Sequence, residues 1–129
     1  LHHFLETVIQ LKINSYQATI NGSSTKMDAA PYISKGRTMV PLRFISEAFK
    51  AEVLWNSTKQ EISIQDRDTM IILTIGSTNM EVNGQDIRLD VPPEIRTSRT
   101  FVPIRAISEA LKAVVEWNAA NQTVTIRRM

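Results

Sequence analysis

The sequence contains no cysteine. This absence excludes disulfide bridges, thiolate metal sites and cysteine nucleophiles together. Histidine is scarce as well, because His2 and His3 are the only two and stand side by side near the amino terminus. Transition-metal sites need clustered nitrogen or sulfur ligands. We therefore expect no metal centre and no cofactor.

The sequence also lacks a large excess of charge of one sign, and it lacks long apolar runs. The chain has fifteen Lys and Arg and thirteen Asp and Glu, and positive and negative residues alternate along it. A nucleic-acid-binding surface concentrates Lys and Arg on one face. No apolar run approaches the roughly 18 residues of a transmembrane helix. We expect no nucleic-acid partner and no membrane-spanning segment.

What the sequence does contain is a repeat. A shift of 62 residues (83 minus 21 for the Asn-Gly pair) lays the chain on itself without a gap. About half of the positions between residues 21 and 64 are identical to their partners, which indicates duplication. We predict two units, residues 7–66 and residues 69–129, that pack together as one compact module.

Each unit has the same pattern of apolar positions. The alternation of Ile9, Leu11 and Ile13 with polar residues predicts a half-buried strand. Asn21 and Gly22 predict a type I′ turn between two strands, and Pro41 is expected at the first helical position. Each unit thus reads as three strands, an extended segment, a helix and a closing hairpin. The predicted class is α+β, with an antiparallel sheet wrapped on one α-helix in each unit.

Two tryptophans occupy the same place in the closing hairpins. Trp55 is in phase with Val53, and Trp117 with Val115, whereas the intervening Leu54 is replaced by Glu in the second unit. This alternation predicts that both indoles face the core. The alternative is that they form platforms on which sugar rings stack.

Two carboxylate positions recur in both units, and the four acids raise the question of glycoside hydrolysis, which needs two acids across a cleft. They are Asp28, Asp90, Glu47 and Glu109. Arg43 and Arg105 precede the glutamates by one helical turn, and the aspartates precede proline-containing turns. We expect structural roles for all six. Ser46 and Ser108 have no histidine to activate them, so we expect no enzyme.

Arg37 and Arg99 are the charges that best suit contact with a ligand or partner, because arginine binds carboxylate and phosphate with two hydrogen bonds. The alternative is that they pair with Asp28 and Asp90 and hold the preceding loops in place. We favour the pairing, since the repeat preserves both partners together.

The string Arg-Thr-x-Val-Pro-x-Arg at residues 37–43 and 99–105, with the following Ile-Ser-Glu-Ala and Trp-Asn, resembles the copper amine oxidase N-terminal-like family. Lys50 and Lys112 stand where that family usually has Gly, and Ser98 stands where the first unit has Gly36. The resemblance implies a stalk-type antiparallel sheet twisted around a helix, apart from copper and quinone chemistry. It also implies a place in secreted or cell-surface proteins of Gram-positive bacteria. No leader pattern opens the chain, so we expect the leader of a secreted parent to be missing from it.

Two functions follow from these observations. The first is a non-catalytic structural or protein-interaction module, and the second is a module that binds cell-wall polysaccharide or peptidoglycan. Buried indoles and an apolar patch would favour the first. An exposed aromatic strip would favour the second.

Overall fold

The structure is a computed structural model that describes residues 6–129. His2 and His3 lie outside the described residues. The first unit contains β1 (Thr7–Lys12), β2 (Gln17–Ile20), β3 (Ser23–Lys26), β4 (Tyr32–Ser34), β5 (Arg37–Pro41), α1 (Leu42–Ala48), β6 (Glu52–Asn56) and β7 (Glu61–Asp66). The second contains β8 (Thr69–Thr74), β9 (Asn79–Val82), β10 (Gln85–Arg88), β11 (Glu94–Arg96), β12 (Arg99–Pro103), α2 (Ile104–Ala110), β13 (Val114–Asn118) and β14 (Thr123–Arg128). Strands predominate beside two short helices, which confirms the α+β class.

The sheets do not follow the division of the sequence. One five-stranded sheet has the order β13-β14-β1-β2-β3, and the other has the order β10-β9-β8-β7-β6. Each therefore combines three strands of one unit with the closing hairpin of the other. The prediction of one sheet wrapped on one helix within each unit is wrong in this respect. The physical reason is that β7 and β8 form a tight antiparallel pair across the junction, which carries the chain into a second sheet.

A smaller sheet with the order β11-β12-β5-β4 joins the two units at the centre. Its middle strands pair antiparallel with Val40 opposite Val102, the residue at the equivalent position of the other unit. Both valines are fully buried. The main core draws on both units in the same way, with Ile45 and Ile107 of the helices packed among the isoleucines of the two large sheets. The main core is thus shared by the two units, and a smaller second cluster around Met39 and Phe101 is shared as well.

The Asn-Gly turns adopt the predicted conformation. Asn21 has φ 51° and Gly22 has φ 84°, as a type I′ turn requires. The Asn21 side chain also accepts a hydrogen bond from the backbone N–H of Val8 at 2.7 Å. Asn83 does the same for Met70 at 2.8 Å. Each turn therefore holds its own hairpin and the end of the neighbouring strand.

Backbone conformation and backbone hydrogen bonds define the two ends of each helix. Pro41 and Pro103 are the N-caps, so each helix begins one residue later than predicted, at Leu42 and Ile104. At the other end, Lys50 has φ 59° and donates its N–H to the Glu47 carbonyl, while the next N–H, of Ala51, reaches the Ser46 carbonyl. These two bonds make a Schellman motif, in which a lysine occupies the left-handed position that favours glycine.

Candidate binding grooves

The tryptophans are half exposed, contrary to the prediction that they lie in the core. The exposed fraction is 46% for Trp55 and 42% for Trp117. Their direction follows the predicted alternation, because Trp55 is paired with the buried Ile62 on the adjacent strand. The burial is incomplete because β6 and β13 are edge strands, with a neighbouring strand on one side only.

Trp55 lies in a groove with a volume of about 780 Å³. β6 and α1 contribute Val53, Arg43 and Glu47 to its lining beside the indole. The second unit and the loop after β3 also line it, with Ile95, Ser98, Arg99 and Asp28. We call this the Trp55 groove.

Trp117 lies in an equivalent groove of about 600 Å³, the Trp117 groove. Arg105 and Glu109 of α2 line it beside the indole. Its lining also includes Ile33, Arg37, Arg88 and Asp90. The two grooves together contain every residue that the sequence singled out as a site or structural candidate. Each groove takes its helix and indole from one unit and its arginine–aspartate pair from both.

The arginines of the Arg-Thr strings are paired across the units. Arg37 donates from Nε and Nη2 to Oδ2 of Asp90, at 2.9 and 2.5 Å. Arg99 donates from Nε to Oδ2 of Asp28 at 2.9 Å. The ion pairs expected from the sequence are therefore present, with partners from opposite units. All four side chains are at least 43% exposed, so solvent screening leaves each pair about 0–1 kcal/mol.

In residues 6–129, the arginines and glutamates of the helices do not form the ion pairs that their spacing of four residues suggests. Within residues 6–129, no salt bridge joins Arg43 to Glu47 or Arg105 to Glu109. All four side chains are exposed. Each groove consequently presents both a hydrogen-bond donor group and an acceptor group beside its indole.

Ile33 and Ile95 are groove residues that the sequence-based selection missed. They are exposed at 47% and 45% in strands β4 and β11, each at the edge of the central sheet. A signal was available, because the same isoleucine stands at both equivalent positions while its neighbours differ. The retention of an exposed apolar residue in both copies was thus a signal that could have selected these two positions.

The described residues do not supply a metal site. Among them, no group of three or more His, Cys, Asp or Glu is arranged to hold a metal ion. Residues 6–129 contain no histidine or cysteine, and these are the side chains that supply imidazole and thiolate ligands to copper. Ser46 and Ser108 are almost completely buried, which keeps both hydroxyls from a substrate. No helix in this part of the chain is long and apolar enough to cross a membrane.

Comparison with known families agrees with the Arg-Thr-x-Val-Pro-x-Arg strings. The profile described as copper amine oxidase N-terminal domain matches residues 5–64 and, in an overlapping second match, residues 19–126. The chain belongs to this family. As a copper amine oxidase N-terminal domain, it is also similar to a protein of Brevibacillus choshinensis named as a protease inhibitor. That similarity is 22% identity over 112 residues, or 85% of this chain and 34% of the relative. The domain thus spans about a third of that relative's length.

Proposed function

We propose that this domain is a non-catalytic protein-interaction module of a secreted or cell-surface protein, and that the two grooves are its contact sites. The observation that carries the proposal is the presence of a half-exposed indole at the same position of two equivalent grooves. Hydration of an exposed indole is unfavourable compared with burial against a partner. Tryptophan is also among the residues that most often dominate the affinity of protein interfaces.

The surroundings of the indoles favour a protein partner. Val53 and Ile95 are exposed in the Trp55 groove, and Ile33 is exposed in the Trp117 groove. Each groove therefore combines exposed apolar side chains with charged ones. Protein interfaces likewise combine apolar and charged residues.

The Brevibacillus relative adds independent support for a protein partner, since a protease inhibitor acts by contacting a protein. Proteases are accordingly one class of partner to be tested. The family membership supports a non-catalytic role, as the matching profile describes the N-terminal domain of an oxidase rather than its catalytic domain.

Binding of cell-wall polysaccharide is the second candidate, because an exposed indole flanked by an unpaired arginine and glutamate also suits a sugar ring. Each groove, however, contains a single aromatic residue. Neither groove therefore has the strip of several aromatic residues that would favour binding of a long polysaccharide. We rank this function second.

The decisive experiment compares three forms of the domain, immobilised and exposed to secreted proteins and to purified cell wall of the source organism. The forms are the wild type, a Trp55→Ala/Trp117→Ala variant and a Leu54→Ala/Glu116→Ala control. The control positions lie on the same two strands and are exposed, and they alternate with the groove residues.

We expect a specific protein to be retained by the wild type and the control but not by the tryptophan variant. Indole-dependent retention of polysaccharide in place of protein would establish the second candidate. If neither material is retained in an indole-dependent manner, the grooves are not contact sites and the proposal is wrong. Inhibition assays on a panel of purified proteases, with the same three forms, test the protease class directly.

A further inference from the structure

We propose that β6 and β13 each accept an extended segment of the partner protein as an additional β-strand. This inference rests on the proposed function and specifies how the partner binds. It depends on the free backbone edges of the two strands that carry the indoles, whereas the proposed function depends on the exposed indoles themselves.

Both strands have an unused hydrogen-bonding edge. β6 pairs with β7 on one side, and β13 pairs with β14 on one side. In the part of the chain that the structure describes, no backbone hydrogen bond from residues 52–56 or 114–118 is made outside these pairings. The outer N–H and C=O groups of such an edge are a template for an added strand.

These two edges differ from the other edges of the sheets. The four remaining edge strands are β3, β4, β10 and β11. β4 and β11 are three residues long, and β3 and β10 are four residues long and end in Lys26 and Arg88. Short length and basic side chains are features that discourage strand addition. β6 and β13 have five residues each, without lysine, arginine or proline.

The grooves provide the side-chain contacts that strand addition requires. Val53 and Trp55 line the Trp55 groove, while Leu54 alternates with them along the same strand. Because side chains alternate between the faces of a sheet, every second residue of an added strand would lie against the indole face. Apolar residues at alternate positions are therefore the side-chain pattern that the groove selects.

The charges of the grooves further restrict the segment. The Trp55 groove has two arginines and two acids, a balance of zero. The Trp117 groove has three arginines (Arg37, Arg88 and Arg105) and two acids (Asp90 and Glu109), a surplus of one positive charge. A basic segment would gain nothing in either groove. The expected occupant is an extended segment with alternating apolar residues that is neutral or acidic.

The test uses random peptides of roughly twelve residues displayed on phage, a length that spans one edge strand with margin. Peptides are selected on the wild-type domain after depletion on the Trp55→Ala/Trp117→Ala variant. The tightest binder is then synthesised in three forms: unmodified, N-methylated at its odd-numbered amides, and N-methylated at its even-numbered amides. Binding is measured by calorimetry.

Only one edge of an added strand pairs with the domain, so one N-methylated form should lose about tenfold or more in affinity and the other about twofold or less. If both N-methylated forms bind as tightly as the unmodified peptide, strand addition is overturned. Indole-dependent retention of a protein would still stand in that case, with contact through side chains alone. A library that yields no indole-dependent peptide also overturns strand addition, and the retention experiment then decides the proposed function separately.

Discussion

Asp66 and Arg128 form a buried pair, in which Arg128 donates from Nη1 to Oδ2 of Asp66 at 2.6 Å and from Nη2 to Oδ1 at 2.9 Å. The two residues stand at equivalent positions of the two units, 62 residues apart. Arg128 also donates to the carbonyls of Phe49 and Leu111, the C-cap residues of the two helices. One guanidinium therefore connects both helix ends and the end of β7.

Removal of one member of this pair should be strongly destabilising. Asp66→Ala leaves an unpaired buried guanidinium, and we expect the free energy of unfolding to fall by about 3–5 kcal/mol in urea denaturation. Asp66→Leu combined with Arg128→Met removes both charges and should cost clearly less than the single change. A loss below about 1 kcal/mol for Asp66→Ala would show that the pair does not hold the units together.

The exposed tryptophans should contribute less to stability than core residues do. We expect Trp55→Ala and Trp117→Ala each to lower the free energy of unfolding by about 1–2 kcal/mol, because roughly half of each indole is already hydrated. The fully buried Ile64 is the reference, since Ile64→Ala should cost about 2–5 kcal/mol. A tryptophan variant that loses as much as the isoleucine variant would place the indole in the core.

The lysines that end the helices should be replaceable with a gain. Lys50 and Lys112 have φ 59° and 61°, a conformation that glycine adopts without steric cost. We expect Lys50→Gly and Lys112→Gly each to raise the free energy of unfolding by about 0.5–1 kcal/mol. Lys50→Ala is the matched control, because it removes the charge and keeps the unfavourable φ. Equal stability of the glycine and alanine variants would contradict this account.

Tyr32 should make stability fall at alkaline pH. Its burial, and then its hydrogen bond to the Glu94 carboxylate, raise the pKa of the phenol well above its ordinary value. The unfolded chain therefore releases the phenolic proton from about pH 10 upward, while the folded chain retains it. The contribution of this phenol is complete below about pH 10 and is lost as the pH rises beyond it.

Unfolding measured from pH 8 to 11 should show this decline, and Tyr32→Phe should reduce its slope. The phenylalanine keeps the edge-to-face packing on Phe101, where the ring centroids are 4.8 Å apart. If the wild type and the variant decline in parallel, another group causes the loss.

The local backbone conformation and the direction of side chains could be predicted from the sequence at several residues. Asn21 and Gly22 were assigned to a type I′ turn because both tolerate positive φ, and both adopt it. Pro41 located the helix start to within one residue, since proline fixes its own φ. Side-chain alternation placed Trp55 on the face of Ile62.

The partners of strands and ion pairs could not be predicted in the same way. An alternating pattern tells which face of a strand is apolar, yet it is identical whether β14 pairs with β8 of its own unit or with β1 of the other. Arg37 likewise had two aspartates of equal chemistry available, and in the structure it pairs with Asp90 of the other unit. The buried pair of Asp66 and Arg128 could not be predicted from the repeat. The two equivalent positions hold opposite charges, and such a difference is typical of exposed residues that vary between copies.

The sequence by itself determined the repeat, the position of each turn and helix, and ten of the residues that line the grooves, because these depend on local backbone preference and side-chain alternation. Only the tertiary structure decided which strands became sheet edges. That decision left the indoles half exposed and created both grooves, since burial depends on which neighbours a folded chain brings beside a strand.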